Sequence, residues 1–292
     1  MFPGQGSQYT GMGKSLFDSY AGARDIFSEV DNLLGYGLSQ KCFLGSVEDL
    51  QDTAIQQLAI VTVSLAAYEV FKEKKIDIAF VSGLSLGEYS CLYAAGVLSL
   101  KDVIILVRER AQAMQTAAQA TPSTMFAVIG VSEDKLRIKA KELGFYIANI
   151  NSPQQTVISL KKCDSDKIKA AFAAEDIRVI ELAVSGGFHC PFMEPARKHL
   201  AATIKTMEFK KARIPVMSNF TAKAHTNPAE IRENLLNQLI GPVLWHACVQ
   251  YMFGRGVNRF YEVGPSKVLR GIMRKINPEA EVVNLEKAED LS

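Results

Sequence analysis

The five residues Gly83-Leu84-Ser85-Leu86-Gly87 restrict the fold more than any other stretch of the chain. They fit G-x-S-x-G, the turn that holds a serine between a strand and a helix. The neighbouring sequence has the matching pattern. Ile76, Ile78, Phe80 and Val81 read as a buried strand, Leu86 to Ala95 as a helix, and Gly96 as its C-cap. Glycines on either side let the backbone fold sharply and lift the serine above the sheet, over the free N–H groups of the helix. Ser85 is therefore a candidate nucleophile. The competing reading is a Gly-rich turn whose serine only caps the helix.

Composition sets the outer limits. The 292 residues, 48% of them hydrophobic, suffice for one large core with an insert. A net charge of +2 gives no reason to expect a nucleic-acid partner. No apolar run reads as a membrane span, and Gly4 and Gln5 fall where a leader peptide would need its apolar centre. Five scattered cysteines without a C-x-x-C pair predict a reducing compartment and no structural zinc.

Residues 2–13 contain four glycines and form a loop that can approach a ligand closely, or else a flexible tail. No G-K-[ST] follows, so it is not a phosphate loop. The strand expected to deliver this loop is short or absent in the sequence. Residues 14–75 read as helices, with Leu16, Tyr20, Ala23, Phe27 and Val30 at helical spacing and an apolar face from Ile55 to Phe71. Ser99 caps a further helix that runs to about Ala120 and stops at Thr121-Pro122. Its inner stripe is Val103, Leu106, Val107, Arg110 and Met114. An arginine on that stripe needs an anion, either an internal carboxylate or a substrate.

Residues 123–184 change rhythm. Met125–Val131, Tyr146–Ile150, Thr156–Leu160 and Ile177–Ala183 read as strands, with helices from Ser132 and Asp164. The order βαββαβ is the ferredoxin-like unit, inserted into an α/β body made of 1–122 and 185–292. The loop Ser185-Gly186-Gly187-Phe188-His189 follows at the boundary. Of the four histidines, His199 and His246 lie on helices and His225 in a polar turn. His189 alone sits where a general base is expected, with a backbone-bonded loop histidine as the alternative. Beyond it, Ile214–Phe220 and Val257–Val263 read as strands, and helices start at Asn227-Pro228, at about Val243 and after Lys267.

With these pieces in order the chain resembles the malonyl-CoA:acyl-carrier-protein transacylases of dissociated fatty-acid synthesis. The resemblance rests on Gly4-Gln5-Gly6-Ser7-Gln8, Gly83-Leu84-Ser85-Leu86-Gly87-Glu88, Arg110 with Met114-Gln115, Asn151-Ser152-Pro153 with Gln155, Gly187-Phe188-His189, and Glu262-Val263-Gly264-Pro265 with Lys267. It implies an α/β-hydrolase-like core carrying the ferredoxin-like subdomain. It also implies a cytoplasmic or plastid enzyme that passes malonyl from malonyl-CoA to acyl carrier protein through an ester on Ser85. No permanently bound cofactor, no metal and no membrane would be required, and the enzyme would act as a monomer. The family pattern makes His189 the general base. Backbone N–H groups of Gln5 and Leu86 form its oxyanion hole. Arg110 grips the malonyl carboxylate, Met114 and Gln155 contact the substrate beside it, and Phe188 crowds branched acyl groups. In the family a backbone carbonyl orients the histidine, which here points to Gly241 before Pro242. The chain departs from the pattern at Leu84, Gln154, Leu160 and Ser266. Rival readings are a freestanding polyketide-synthase acyltransferase, a hydrolase that uses water, and a docking subunit without activity.

Overall fold

The computed structural model describes residues 1–291. After the N-terminal loop come α1 (Lys14–Ser19), α2 (Ala21–Leu34), α3 (Leu38–Leu44), α4 (Thr53–Lys72), α5 (Gly87–Ala94) and α6 (Leu100–Ala120). The next stretch holds β1 (Ser123–Ile129), α7 (Glu133–Leu143), β2 (Tyr146–Ser152), β3 (Gln155–Lys161), α8 (Ser165–Ala173) and β4 (Arg178–Glu181). The rest comprises α9 (Glu194–Lys205), β5 (Val216–Met217), β6 (Ala224–His225), α10 (Pro228–Ile240), α11 (Trp245–Phe253), β7 (Arg259–Val263), α12 (Val268–Ile276), β8 (Glu281–Leu285) and α13 (Ala288–Leu291).

Short parallel pieces make the central sheet. Val81 bridges Val216, Phe2 bridges Gly83, and β7 pairs with β8, all in parallel. The Val263 N–H donates to the Met1 carbonyl at 2.8 Å and joins these pieces into one row. Side chains alternate across that row as strand geometry requires. Met1, Phe80, Met217, Phe260 and Val282 face a core with Trp245 of α11 and Leu269 of α12. Phe2, Val81, Val216, Tyr261 and Val283 face the other core, with α2, α4 and α6. Helices thus cover both faces, the α/β layer arrangement.

Two strands are shorter than their apolar pattern predicts. Only Val81 of the 76–81 run bridges a neighbour, and Ile76 is exposed. Alongside Ile76–Ala79 and Val257–Asn258 the row is an open groove of about 550 Å³, so those residues have no ladder partner. Likewise only Val216 and Met217 of 214–220 are extended into a strand, and the helix expected from Val243 begins at Trp245. α4 is long and apolar enough to cross a membrane by length and composition, yet 78% of that stretch is buried inside the protein.

The inserted unit has strand order β2-β3-β1-β4 with every pair antiparallel, the ferredoxin-like arrangement. Phe126, Val128, Ile158 and Leu160 pack on α7 and α8 through Leu136, Ile168 and Phe172. Their neighbours Met125, Ala127 and Val157 turn toward the main body. The sheet's second face therefore forms a wall opposite the serine turn.

Candidate active site

The serine turn is held under strain. Ser85 has φ 51°, a left-handed conformation rare for a residue with a side chain and costing about 1–3 kcal/mol. Asn219 holds it from both ends: the Ser85 N–H donates to Asn219 Oδ1 at 2.6 Å, and Asn219 Nδ2 donates to the Gly83 carbonyl at 2.8 Å. The glycines are required by contact. A Cβ on Gly83 would lie 2.0 Å from the Gly87 carbonyl carbon, and one on Gly87 would lie 2.1 Å from the Phe2 carbonyl oxygen.

His189 meets this turn. Its Nε2 lies 2.7 Å from Ser85 Oγ, and its Nδ1 lies 2.7 Å from the Gln238 carbonyl oxygen. A carbonyl can only accept, so Nδ1 carries the proton and Nε2 presents its lone pair to the serine hydroxyl. Burial pushes the imidazole down to about 4; the Gln238 carbonyl opposes this, and the Arg110 charge adds to it. The expected carbonyl, that of Gly241, is not the one used. Gly241 closes α10 by donating its N–H to the Asn237 carbonyl. Gln238 would ordinarily receive the N–H of residue 242, but Pro242 has none. The proline leaves the Gln238 oxygen open for His189.

Arg110 is fully buried on the inner stripe of α6, together with Val103, Leu106, Val107 and Met114, as the spacing predicts. Its Nη2 donates to Ser85 Oγ at 3.0 Å, and its Nη1 donates to Gln57 Oε1. The guanidinium carbon stands 4.9 Å from the centre of the Tyr89 ring. Among the described residues no carboxylate lies within ion-pair distance of Arg110, and its Nε has no acceptor. Burial pulls its pKa below the ordinary value, while Tyr89 and Glu88 act against that pull. The internal ion pair weighed from the sequence is therefore not formed. A desolvated cation beside the serine oxygen is arranged to take an anion.

A cavity of about 390 Å³ opens at Ser85 and His189, between the two sheets. Gln5, Leu84, Gln155 and Phe188 border it, and α12 contributes Val268, Gly271, Ile272 and Lys275. The N-terminal loop reaches it because Gly4 sits against the serine turn: a Cβ there would lie 2.5 Å from the Leu84 oxygen. Gln5 is further pinned by its side chain, which donates to Gln56 Oε1 at 2.7 Å. Among the described residues, neither the Gln5 nor the Leu86 N–H donates to a backbone carbonyl or side chain. Leu86 directly precedes α5, where helix amides point outward. Met114 lies behind the site, with its sulfur 3.8 Å from Gln57 Nε2, and does not border the cavity.

Four participants escaped the sequence reading: Gln57, Glu88 (quoted only as part of a motif), Asn219 and Gln238. Only Gln238 had a local signal, a proline four residues on. The remaining histidines are engaged elsewhere. His199 contacts Glu109, His225 contacts Thr221 and Glu230, and His246 contacts Gln250. Of the departures, Ser266 takes φ 71°, a left-handed position, with its N–H held by Glu286. Leu160 is buried in the small core, and Gln154 receives the Gly130 N–H in its hairpin.

Comparison with known proteins identifies relatives along nearly the whole chain. The acyl transferase domain family matches residues 1–287. The malonyl CoA-acyl carrier protein transacylase of Bacillus subtilis (strain 168) is 40% identical over 284 residues, covering 95% of this chain and 89% of that protein. The enzyme of the same name from Escherichia coli (strain K12) is 38% identical over 282 residues, covering 94% and 91%. Among solved structures, an acyl carrier protein S-malonyltransferase from Vibrio cholerae superposes with TM-score 0.95 at 36% identity, covering 99% of this chain and 97% of that one. A malonyl-transacylase solved with its type II polyketide-synthase acyl-carrier protein gives TM-score 0.95 at 33% identity, covering 99% and 96%. The chain belongs to the malonyl CoA-acyl carrier protein transacylase family of acyl transferases.

Proposed function

We propose that the protein moves a malonyl group from malonyl-CoA to the phosphopantetheine thiol of acyl carrier protein, through an ester on Ser85. The observation that carries this reading is the buried guanidinium of Arg110, without an ion-pair partner among the described residues, 3.0 Å from a serine oxygen that is itself 2.7 Å from a histidine nitrogen. A diacid thioester supplies both what the serine attacks and what the arginine lacks.

In the first half-reaction His189 Nε2 takes the hydroxyl proton while Ser85 Oγ bonds to the thioester carbonyl carbon. The oxyanion forms beside the N–H groups of Gln5 and Leu86. The C–S bond then breaks, and the coenzyme A sulfur leaves with the proton from His189. In the second half-reaction His189 takes the proton of the carrier's thiol, the sulfur attacks the ester carbonyl, and Ser85 Oγ leaves and recovers the proton. The malonyl carboxylate occupies the Arg110 fork throughout, which favours malonyl over acetyl because an acetyl group leaves the cation buried and unpaired. Gln155 and Phe188 bound the acyl group. Met114 supports Arg110 through Gln57 instead of touching substrate.

Two basic clusters offer a surface to an acidic carrier. Lys210, Lys211 and Arg213 lie away from the cavity, whereas Lys267, Arg270, Arg274 and Lys275 lie on or beside α12, and Lys275 borders the cavity mouth. The α12 cluster is the one from which a tethered thiol reaches Ser85. We divide the chain into a main body, 1–122 with 185–292, and a small subdomain, 123–184, with the cavity between them. All five thiols are free, in keeping with a cytoplasmic or stromal setting.

The test is intact-mass analysis with peptide mapping after addition of malonyl-CoA. The expected result is a malonyl adduct on the peptide containing Ser85, absent in Ser85→Ala and discharged by holo acyl carrier protein. Free malonate released at the same rate with and without carrier would point to a hydrolase instead. An unmodified wild-type protein would point to a docking subunit.

A further inference from the structure

We propose that Glu88 is a positioning residue that holds the nucleophile and its base in register from a single carboxylate oxygen; this rests on the functional reading given above. Glu88 stands in the first turn of α5, three residues after Ser85, and is buried. Its Oε2 accepts the Asn219 N–H at 2.9 Å and the Gln238 side-chain amide at 2.7 Å. Each arm ends on a reacting residue. Through Asn219 the first reaches the Ser85 N–H and the Gly83 carbonyl, which together fix the strained serine turn. Through Gln238 the second reaches the Ser85 carbonyl by the side chain, at 3.1 Å, and His189 Nδ1 by the main chain, at 2.7 Å. Ser85 and His189 come from segments 104 residues apart. The carboxylate oxygen takes a donor from each arm, and the arms also meet where Gln238 Nε2 donates to Asn219 Oδ1 at the longer distance of 3.4 Å.

The two donors on Oε2 need an acceptor, which is best supplied by the ionised form. Burial acts in the opposite direction and raises Glu88 to about 7, against its bonds to Asn219 and Gln238 and the charge of Arg110. The titratable or charged groups facing it are Arg110 on α6, Tyr89 and Cys91 on its own helix, and Cys248 on α11. Tyr89, Cys91 and Cys248 all have raised pKa values, chiefly from burial, and stay neutral near pH 7. Arg110 stays charged there. Glu88 is thus the group around this pair that changes charge near neutrality. Protonation frees an O–H at a place where Gln238 Oε1 is buried without a partner, so the arm to Gln238 is drawn into a different pairing.

The stability consequence has the opposite sign to the activity consequence. A carboxyl whose folded pKa is raised stabilises the fold fully below its unfolded value, and that contribution is lost as pH rises through about 7. Glu88→Gln removes the penalty at pH 8, and the new amide can donate to Gln238 Oε1. A residue kept only for stability would behave the other way.

The experiment measures Ser85 acylation by malonyl-CoA between pH 5 and 9 in wild type, Glu88→Gln and Glu88→Asp, with Tm at each pH. Wild type is expected to gain rate across a step near pH 7. Glu88→Gln is expected to lack that step and to show about 10-fold lower kcat at pH 8, KM within about twofold, and a Tm no lower than wild type. Glu88→Asp, one methylene short of both donors, is expected to keep the step and lose rate. A wild-type profile without the step, a step retained in Glu88→Gln, or kcat in either variant equal to wild type would each overturn the proposal. So would a lowered Tm with unchanged pH dependence. If the glutamine variant does not fold, the wild-type and aspartate profiles decide. A wild type that takes up no malonyl would sink the functional reading instead.

Discussion

Pro242 stands four residues after Gln238, and the N–H it lacks is the one that would have closed the last turn of α10 on the carbonyl now bonded to His189. A missing donor in one element becomes an available acceptor in the active site. Helix ends leave carbonyls unsatisfied in any case, and here one is consumed by the base.

Pro242→Ala restores an amide that can compete for the Gln238 oxygen. The expected outcome is a drop of about 5-fold in kcat for malonyl transfer with little change in KM, since about 1 kcal/mol of orientation is at stake. Steady-state kinetics at fixed carrier concentration check it. An unchanged kcat would mean that His189 keeps its orientation without a dedicated acceptor.

Arg110→Ala leaves the serine, the histidine and the cavity in place but removes the cation. Breaking a buried charge pair costs about 3–5 kcal/mol, so kcat/KM for malonyl-CoA should fall by about a thousandfold while acetyl loading rises relative to it. Competition between malonyl-CoA and acetyl-CoA, read by adduct mass, measures the ratio. An unaltered ratio would mean that the guanidinium does not select the acyl group. Arg110→Lys keeps the charge but not the fork or the bond to Gln57, and should recover only part of the preference.

His189 makes stability depend on acid. Its folded pKa of about 4 lies below the ordinary value of 6.5, so the fold gains from the neutral ring above 6.5 and loses that gain as pH falls from 6.5 to 4. The two values differ by about 2.5 units, or roughly 3 kcal/mol. His189→Gln does not titrate, so the difference in Tm between wild type and variant should shrink or reverse in that window. Calorimetry at half-unit pH steps checks this. A constant difference would show that the buried ring is not desolvated as described.

The chemistry was more legible in the chain than the strands were. Ser85, His189 and Arg110 each had a local mark: a motif, a Gly-rich loop and a cation on an apolar stripe. Helix ends were legible too, since Ser99, Ser132 and Asn227 cap their helices with their own side chains. The runs 76–81 and 214–220 were overread because an apolar run has the same pattern whether or not a neighbour lies alongside to complete the ladder. The parallel strand β8 was missed although Val282 and Val283 sit in it. Asn219 and Gln57 could not be found at all: a buried amide that holds a turn from 134 residues away leaves no trace in its own neighbourhood.

The last prediction concerns α12, which lines the cavity with Val268, Gly271, Ile272 and Lys275 and carries Arg270 and Arg274 on the rest of its surface. The macrodipole of a helix favours cations at its C-terminal end, so Arg274 and Lys275 have a structural reason to be there without any partner. Partner binding makes a different demand, because rim charges act mainly on association and its salt dependence. Arg274 does not border the cavity, which makes Arg274→Glu the cleaner probe. It should raise KM for an acidic carrier by about 10-fold at low salt and flatten the dependence of that KM on ionic strength. Acylation by malonyl-CoA should change less than about threefold. If the carrier's KM and its salt dependence match wild type, the basic side of α12 serves the helix alone and the carrier docks elsewhere.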